Sequence, residues 1–437
     1  MRKTGVNPRS IGYYRVEYLQ TPGGISMRIA FFAWEYPPVL VGGLGTYAEN
    51  MARKFVELGH DVTLFALNEG NLPTREVVRG VEVHRPIISD ASTVLSLISP
   101  DLASWQPGIK FFSDFFMYNV LSASKFINLL AKAREPYDIV CFHDWLNTVA
   151  GLMVKDQLGI PSVFHAHSTE WGRTGDGSET IKSLERTAAK KADAVITASR
   201  AMKQDLSRHG WPGEKIHVIW NGVDPERYHP GKCSREDVTA TRDRYAIREE
   251  DKMILFVGRL TWYKGIRNLV LAMPQVLGQV PEAQLVILGR GKQQHDIVEL
   301  ARRLGIEEKI HYRFEFVPEQ ERILHYAASD LCVFPSTYEP FAVVSLEAMS
   351  MEKPVVVGAN GVVGFTEQVV PSGPEQNGVH VDGNNPADIA WGITEALSNE
   401  RRAREWGRKG RKRVLRYFTW EKAAEQTISC YEKILSG

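Results

Sequence analysis

The chain has 437 residues, 43% of them hydrophobic and 24% charged, with a formal net charge of +1. That length exceeds one ordinary core and suits two domains of roughly 200 residues each. Near-neutral charge excludes a general nucleic-acid or membrane-surface binder, which needs a clear basic excess, so any anion site is local.

Residues 1–26 carry charges but no apolar signal core, and no apolar run in the chain is long enough to span a bilayer. They read as an extension outside the core fold. From Met27 onward, β-rich runs alternate with helical patterns. MRIAFFAW reads as a strand and leads into the glycine loop VGGLG; Ala48, Met51, Ala52 and Phe55 then recur at helical spacing up to Gly59. DVTLFAL is the next strand. A long helix over about 113–133 follows, then DIVCFH, a helix from about 145, SVFHAH, a helix near 179–191, AVITAS and KIHVIW.

Residues 221–251 lose this rhythm and gain Pro, Gly and charge, a linker signature. The alternation then restarts with MILFVGRL, QLVILG, KIHYRFEF, LCVFPS and PVVVG, each followed by a helical stretch, and the chain closes on TWEKAAEQTISCYEKIL. Such alternation predicts an α/β protein: two doubly wound, Rossmann-like parallel-sheet domains facing a cleft, with ligands at the carboxyl ends of the strands. Cys141, Cys233, Cys332 and Cys430 show no CxxC spacing. They suggest neither a disulfide framework nor a zinc site and fit a reducing cytoplasm.

The notable motifs all follow predicted strands. Glycines at Gly42-Gly43-Leu44-Gly45 would let backbone N–H groups at a helix start approach a phosphate; a plain tight turn is the competing reading. Arg259 and Lys264 straddle a strand-loop-helix junction. A guanidinium fork with a mobile ammonium suits a diphosphate, although two solvated surface cations would look the same in isolation. Glu339 stands at a strand end, placed to face a developing oxocarbenium ion or to bind sugar hydroxyls. Glu347, eight residues on, shares roughly the same helix face and would suit a ribose diol, unless it is a buried or capping carboxylate. Asp144 reads as a helix N-cap and His143 as either a site or a core residue. His165 and His167 alternate along a strand, which argues against their joint metal ligation.

Taken together, VGGLG, HDW at 143–145, NGVD at 221–224, FVGRL…YKG at 256–265 and EPF…LE at 339–347 resemble the retaining glycosyltransferases of the GT-B fold. The similarity is greatest to the glycogen/starch synthase family in its short archaeal form, and it covers about residues 27–437. It implies an acceptor-side domain over 27–230, a linker over 231–251, a nucleotide-sugar domain over 252–418, and a helix over 419–437 crossing back onto the first domain. It implies Glu339 as the catalytic carboxylate, His143 as a sugar-contacting histidine, and Arg259 and Lys264 on the donor diphosphate. Glu347 would hold the ribose and Asn221 would lie near the glucose. Gly42, Gly43 and the backbone N–H groups of Phe341, Ala342, Val343 and Val344 would meet donor oxygens. Leu40 stands where the bacterial synthases carry a lysine, and Ala342 where they carry a glycine.

The resulting expectation is a cytoplasmic, metal-independent enzyme without a cofactor. It would transfer glucose from ADP-glucose or UDP-glucose to an α-1,4-glucan with retention, with self-association left open. Rival readings are a retaining transferase with a small acceptor, a sugar-nucleotide epimerase on the same fold, and a non-catalytic glycan- or nucleotide-binding module.

Overall fold

The computed structural model describes residues 20–21, 24–39, 42–98, 107–132 and 135–436. Most of the N-terminal extension therefore lies outside the described residues, as do Leu40 and Val41 just before the glycines. Two short strands, β1 (Gln20–Thr21) and β2 (Gly24–Ile25), pair antiparallel just before the core.

The first domain is built on β3 (Arg28–Phe32), β4 (Asp61–Phe65), β5 (Arg75–Val78), β6 (Val81–His84), β7 (Ile139–His143), β8 (Ser162–Ala166), β9 (Ala194–Thr197) and β10 (Ile216–Val218). They form one sheet in the order β10-β9-β8-β7-β3-β4-β6-β5, parallel except for the β5–β6 pair. β3, β7, β8 and β9 are buried almost throughout, as expected of strands covered by helices on both faces. The hairpin β5–β6 escapes the periodicity because REVV and VEVH are short and half polar.

The second domain holds β11 (Lys252–Val257), β12 (Ala283–Leu288), β13 (Ile310–Arg313), β14 (Leu331–Phe334), β15 (Tyr338–Glu339), β16 (Val355–Gly358), β17 (Val362–Val363) and β18 (Gly378–Val381). Six of them form an all-parallel sheet, β13-β12-β11-β14-β16-β18, while β15 and β17 pair separately. In each main sheet the strand order reverses beside the first strand: between β3 and β7, and between β11 and β14. A crevice opens at such a reversal, because the connections on its two sides leave in opposite directions. Those four strands carry the glycine loop, His143-Asp144, Gly258-Arg259 and the Glu339 segment at their carboxyl ends.

The segment 231–251 departs from the linker reading. Ser234 and Asp237 form a reciprocal capping box that starts a helix, Arg235–Asp243. Ile247 lies in the core beneath the second sheet, and Arg242 donates to the carbonyls of Ala328 (3.0 Å) and Asp251 (2.7 Å). The polar composition reflects the solvent face of that helix. The chain instead crosses between domains at two adjacent places, where Val223 N donates to Phe418 O at 3.0 Å and Val223 bridges Thr419. After the second crossing, the helix Trp420–Ser436 lays Trp420, Ala423, Ala424, Ile428 and Tyr431 against the first sheet with Ile29, Phe31 and Phe55. Each large apolar side chain buried there contributes about 1.5–3 kcal/mol.

Candidate active site

The second domain supplies a wall of charge. Gly265 adopts φ 71°, and a side chain there would overlap the Pro335 carbonyl, so the Trp262–Lys264 turn packs directly on the chain leaving β14. Thr337 N donates to Tyr263 O at 2.8 Å across the same seam. This approach brings Lys264 Nζ into a hydrogen-bonded ion pair with the Glu339 carboxylate, both side chains being largely buried. Arg259, leaving β11, lines the same wall. Beyond Pro340 the helix Val343–Ser350 starts at Ala342, which has no side chain to cap it. The first N–H groups and the positive helix end therefore remain available to an anion.

The opposite wall comes from the first domain. The helix Gly43–Glu57 begins at the glycine loop with no side-chain cap, and Gly42 N donates to Glu35 Oε2 at 3.0 Å. Asp144 has an unusual backbone for a non-glycine residue (φ 52°, ψ 176°). It does not cap the turn that follows it. Its Oδ1 accepts instead from His167 N (2.7 Å) and Ser168 N (3.2 Å), holding the loop after β8 against the end of β7. A backbone in that region costs about 1–3 kcal/mol and persists where its surroundings over-determine it. These two bonds are the local reason.

Between the walls is a cleft of about 470 Å³, lined by Gly42, Gly43, Asn221, Arg259, Lys264, Glu339 and Phe341–Val344. These expected site residues are thus brought together from four stretches of the chain, 42–43, 221, 259–264 and 339–344. Two others are not. His143 is fully buried and shares a strand face with Cys141; its ring stacks on Phe31 at 4.2 Å, and its Nε2 has no partner among the described residues. His167 lines the cleft in its place, with Nε2 3.1 Å from His143 Nδ1. β8 ends at Ala166, so strand alternation does not govern His167, and the His143, His165 and His167 rings cluster instead of pointing apart.

Glu347 is likewise absent from the cleft wall. Glu339 lies on β15 and not on the helix, so the two carboxylates share no helix face. The Glu347 carboxylate is buried, accepting from Tyr228 Oη and Tyr326 Oη, each at 2.8 Å, with Arg322 3.5 Å away. Sequence reasoning missed His167, Arg173 and Tyr338, all of which line the cleft. The HAH triplet offered a signal for His167, and Tyr338 adjoins Glu339; Arg173 gave none.

Burial, reinforced by the neighbouring histidines, pushes His143 well below the ordinary imidazole range, and burial also lowers His165 and His167. Each shift favours the neutral imidazole. The donor atoms of Cys141, His143 and His165 lie within 4.8 Å of one another, a spacing a metal could use. The two nitrogens of His165 already meet Tyr47 Oη (3.1 Å) and Tyr431 Oη (2.8 Å), and burial pushes the Cys141 thiol up to about 12. That disfavours the thiolate a metal requires. Behind Arg173, burial pushes Glu185 up to about 8.

Comparison with known proteins decides the family. Residues 41–227 match the family model of glycosyltransferase family 4, and residues 237–413 match that of glycosyl transferases group 1. An uncharacterized glycosyltransferase of Methanocaldococcus jannaschii is 32% identical over 93% of this chain and 98% of its own length. The chain belongs to the GT-B glycosyltransferases. This glycosyltransferase is 28% identical to the glycogen synthase of Mycobacterium tuberculosis, covering 93% of this chain and 94% of that protein. It is 28% identical to the α-maltose-1-phosphate synthase of Mycolicibacterium smegmatis, over 93% of this chain and all of the other. Among solved structures, sucrose-phosphate synthase from Thermosynechococcus elongatus shares the fold, with a TM-score of 0.75 at 23% identity over 94% of this chain and 99% of that one. No helix among the described residues of this glycosyltransferase is long and apolar enough to cross a membrane.

Proposed function

We propose that this glycosyltransferase moves glucose from ADP-glucose or UDP-glucose to the 4-hydroxyl at the non-reducing end of an α-1,4-glucan, with retention and without a metal. The convergence of Arg259, Lys264 and Glu339 on one wall of the cleft, opposite the Gly42-Gly43 helix start, carries this reading. Arg259, Lys264 and the N–H groups at Phe341–Val344 take up the negative charge that grows on the departing nucleotide diphosphate. Preorganised donors of that kind are worth about 3–4 kcal/mol of barrier each. Once Lys264 turns to the diphosphate, Glu339 is left to face the positive charge developing on the sugar. His167, with neutral His143 behind it, and Asn221 contact the glucose. The diphosphate oxygen takes the acceptor proton on the face it leaves. The recess beside Arg259, bounded by Arg290, Phe316 and Val317, receives the base.

The sequence similarity to a glycogen synthase over nearly the whole chain supports the glucan acceptor. A second reading, a phosphorylated sugar as acceptor, is favoured by Arg173, a cation on the acceptor-side wall of the cleft. One assay separates them: labelled ADP-glucose or UDP-glucose is incubated in EDTA with glycogen, with a hexose phosphate, or with neither. Label entering polymer only when glycogen is present supports the proposal. Label confined to a disaccharide phosphate, or an epimerised nucleotide sugar, sinks it, and loss of all transfer in EDTA sinks metal independence.

A further inference from the structure

The short strand carrying Glu339 is docked on the other domain. In β15, neighbouring side chains point to opposite faces, so Glu339 meets Lys264 of its own domain while the Tyr338 hydroxyl meets Thr169 of the first domain. Tyr338 Oη accepts from Thr169 N at 2.9 Å and shares a hydrogen bond with Thr169 Oγ1 at 3.0 Å. Its ring packs against Gly172, where any β-carbon would overlap ring atoms. The partner strand β17 is held as well: Val362 packs against the core of the first domain. Just beyond β17, Glu367 Oε1 accepts from Arg200 N at 2.6 Å at the start of the helix Arg200–Arg208.

We infer that Tyr338 is a positioning residue that couples closure of the two domains to placement of the Glu339 carboxylate; this rests on the role proposed for Glu339 above. The two chain crossings at Val223 and Thr419 lie side by side and form the hinge. The Tyr338 ring meets Tyr263 of its own domain edge-on at 6.1 Å, while both hydrogen bonds of its phenol and its contact with Gly172 are made with the first domain. Opening about the hinge strips the phenol of Thr169 and Gly172 and frees β15 to shift. Closing restores both contacts and fixes Glu339 on the cleft wall, where it is paired with Lys264 until the diphosphate takes that ammonium. The latch also reaches the other wall. Thr169 follows directly on the loop that Asp144 holds through His167 N and Ser168 N, so engagement of Tyr338 orders His167 too. Small residues are required opposite the ring, which accounts for glycine at 172 in an α-helical backbone that would otherwise favour a larger residue.

The test uses Y338F, Y338A, G172A and G172A/Y338A in the full chain. Transfer kinetics, calorimetric titration of UDP and ADP, and the radius of gyration from small-angle scattering are measured for each. Y338F is expected to lose about tenfold in kcat, as for one buried hydrogen bond, while nucleotide affinity stays within about twofold of wild type. G172A is expected to enlarge the radius of gyration and lower kcat further, and to do neither when added to Y338A, where the obstructing ring is gone. A wild-type radius of gyration for G172A, or an equal G172A effect in both backgrounds, overturns the inference. If G172A does not fold, an unchanged kcat in Y338F overturns it. Scattering and nucleotide titration need no acceptor, so an error in the proposed acceptor abolishes glucan transfer in wild type and leaves the scattering difference intact.

Discussion

Glu347 offers the sharpest test of the site, because its buried position and its expected ribose-binding role make opposite demands on one variant. In the structure Glu347 is only 4% exposed and its carboxylate accepts two phenol hydroxyls at 2.8 Å, with the Arg322 guanidinium 3.5 Å away. Glu347→Gln keeps the volume but removes the charge. The amide accepts one hydroxyl and presents N–H to the other, and Arg322 loses its anionic partner. Hydrogen bonds to a charged group are worth about 1.5–3 kcal/mol, and uncoupling a buried ion pair costs about 3–5 kcal/mol. Arg322 retains some solvent and a 3.0 Å contact to Tyr228 Oη, which reduces the second figure. The net expectation is a loss of roughly 2–4 kcal/mol, or about 5–15 °C in the melting temperature of a domain of this size. The assay is thermal unfolding by calorimetry, paired with titration of UDP and ADP. A large fall in melting temperature with nucleotide affinity kept within about threefold at a permissive temperature supports the structural role. An unchanged melting temperature with at least about tenfold weaker nucleotide binding refutes it, and would mean that Glu347 reaches the ligand.

Glu339→Ala is expected to abolish transfer while nucleotide binding stays within about threefold, as titration and labelled-donor turnover will show. Transfer that survives would remove Glu339 from the mechanism. Lys264→Ala is expected to lower kcat by about 10²–10³-fold, since a preorganised donor to the leaving diphosphate is lost; steady-state kinetics check it, and a change confined to KM would reassign Lys264 to ground-state binding. Glu185 makes a pH prediction. Its folded-state value near 8 lies above the ordinary 4.5, so the native state holds a proton that the unfolded chain has released. Stability from this group is fully present below about pH 4.5 and is lost as pH rises towards about 8, by at most about 5 kcal/mol at 1.36 kcal/mol per pH unit. Glu185→Gln should therefore stabilise the protein relative to wild type at about pH 8 and much less at about pH 5, measured by denaturant unfolding.

Much of this protein was legible along the chain because parallel α/β domains write a repetitive pattern. Strands buried on both faces appear as apolar runs such as LCVF and VVVG, and the loops after them carry the polar motifs. That local record was sufficient for the two-sheet architecture and for bringing Gly42, Arg259, Lys264 and Glu339 to the cleft wall. It failed where composition and packing diverge. The polar segment 231–251 resembles a linker but contains a capped helix and a core isoleucine; the two-residue strands β15 and β17 are too short to show a pattern, and polar or glycine positions interrupt the apolar runs of β5 (REVV) and β18 (GVHV). Tertiary structure alone decided which side chains face the cleft. His143 is drawn under the surface by its strand face and His167 takes the wall because β8 ends one residue earlier, while Glu347 is satisfied by two tyrosines from distant parts of the chain. The Tyr338–Thr169 contact spans 169 positions in the sequence. Hydrogen bonds and burial of this kind depend on how separate elements meet, which no local pattern of residues records.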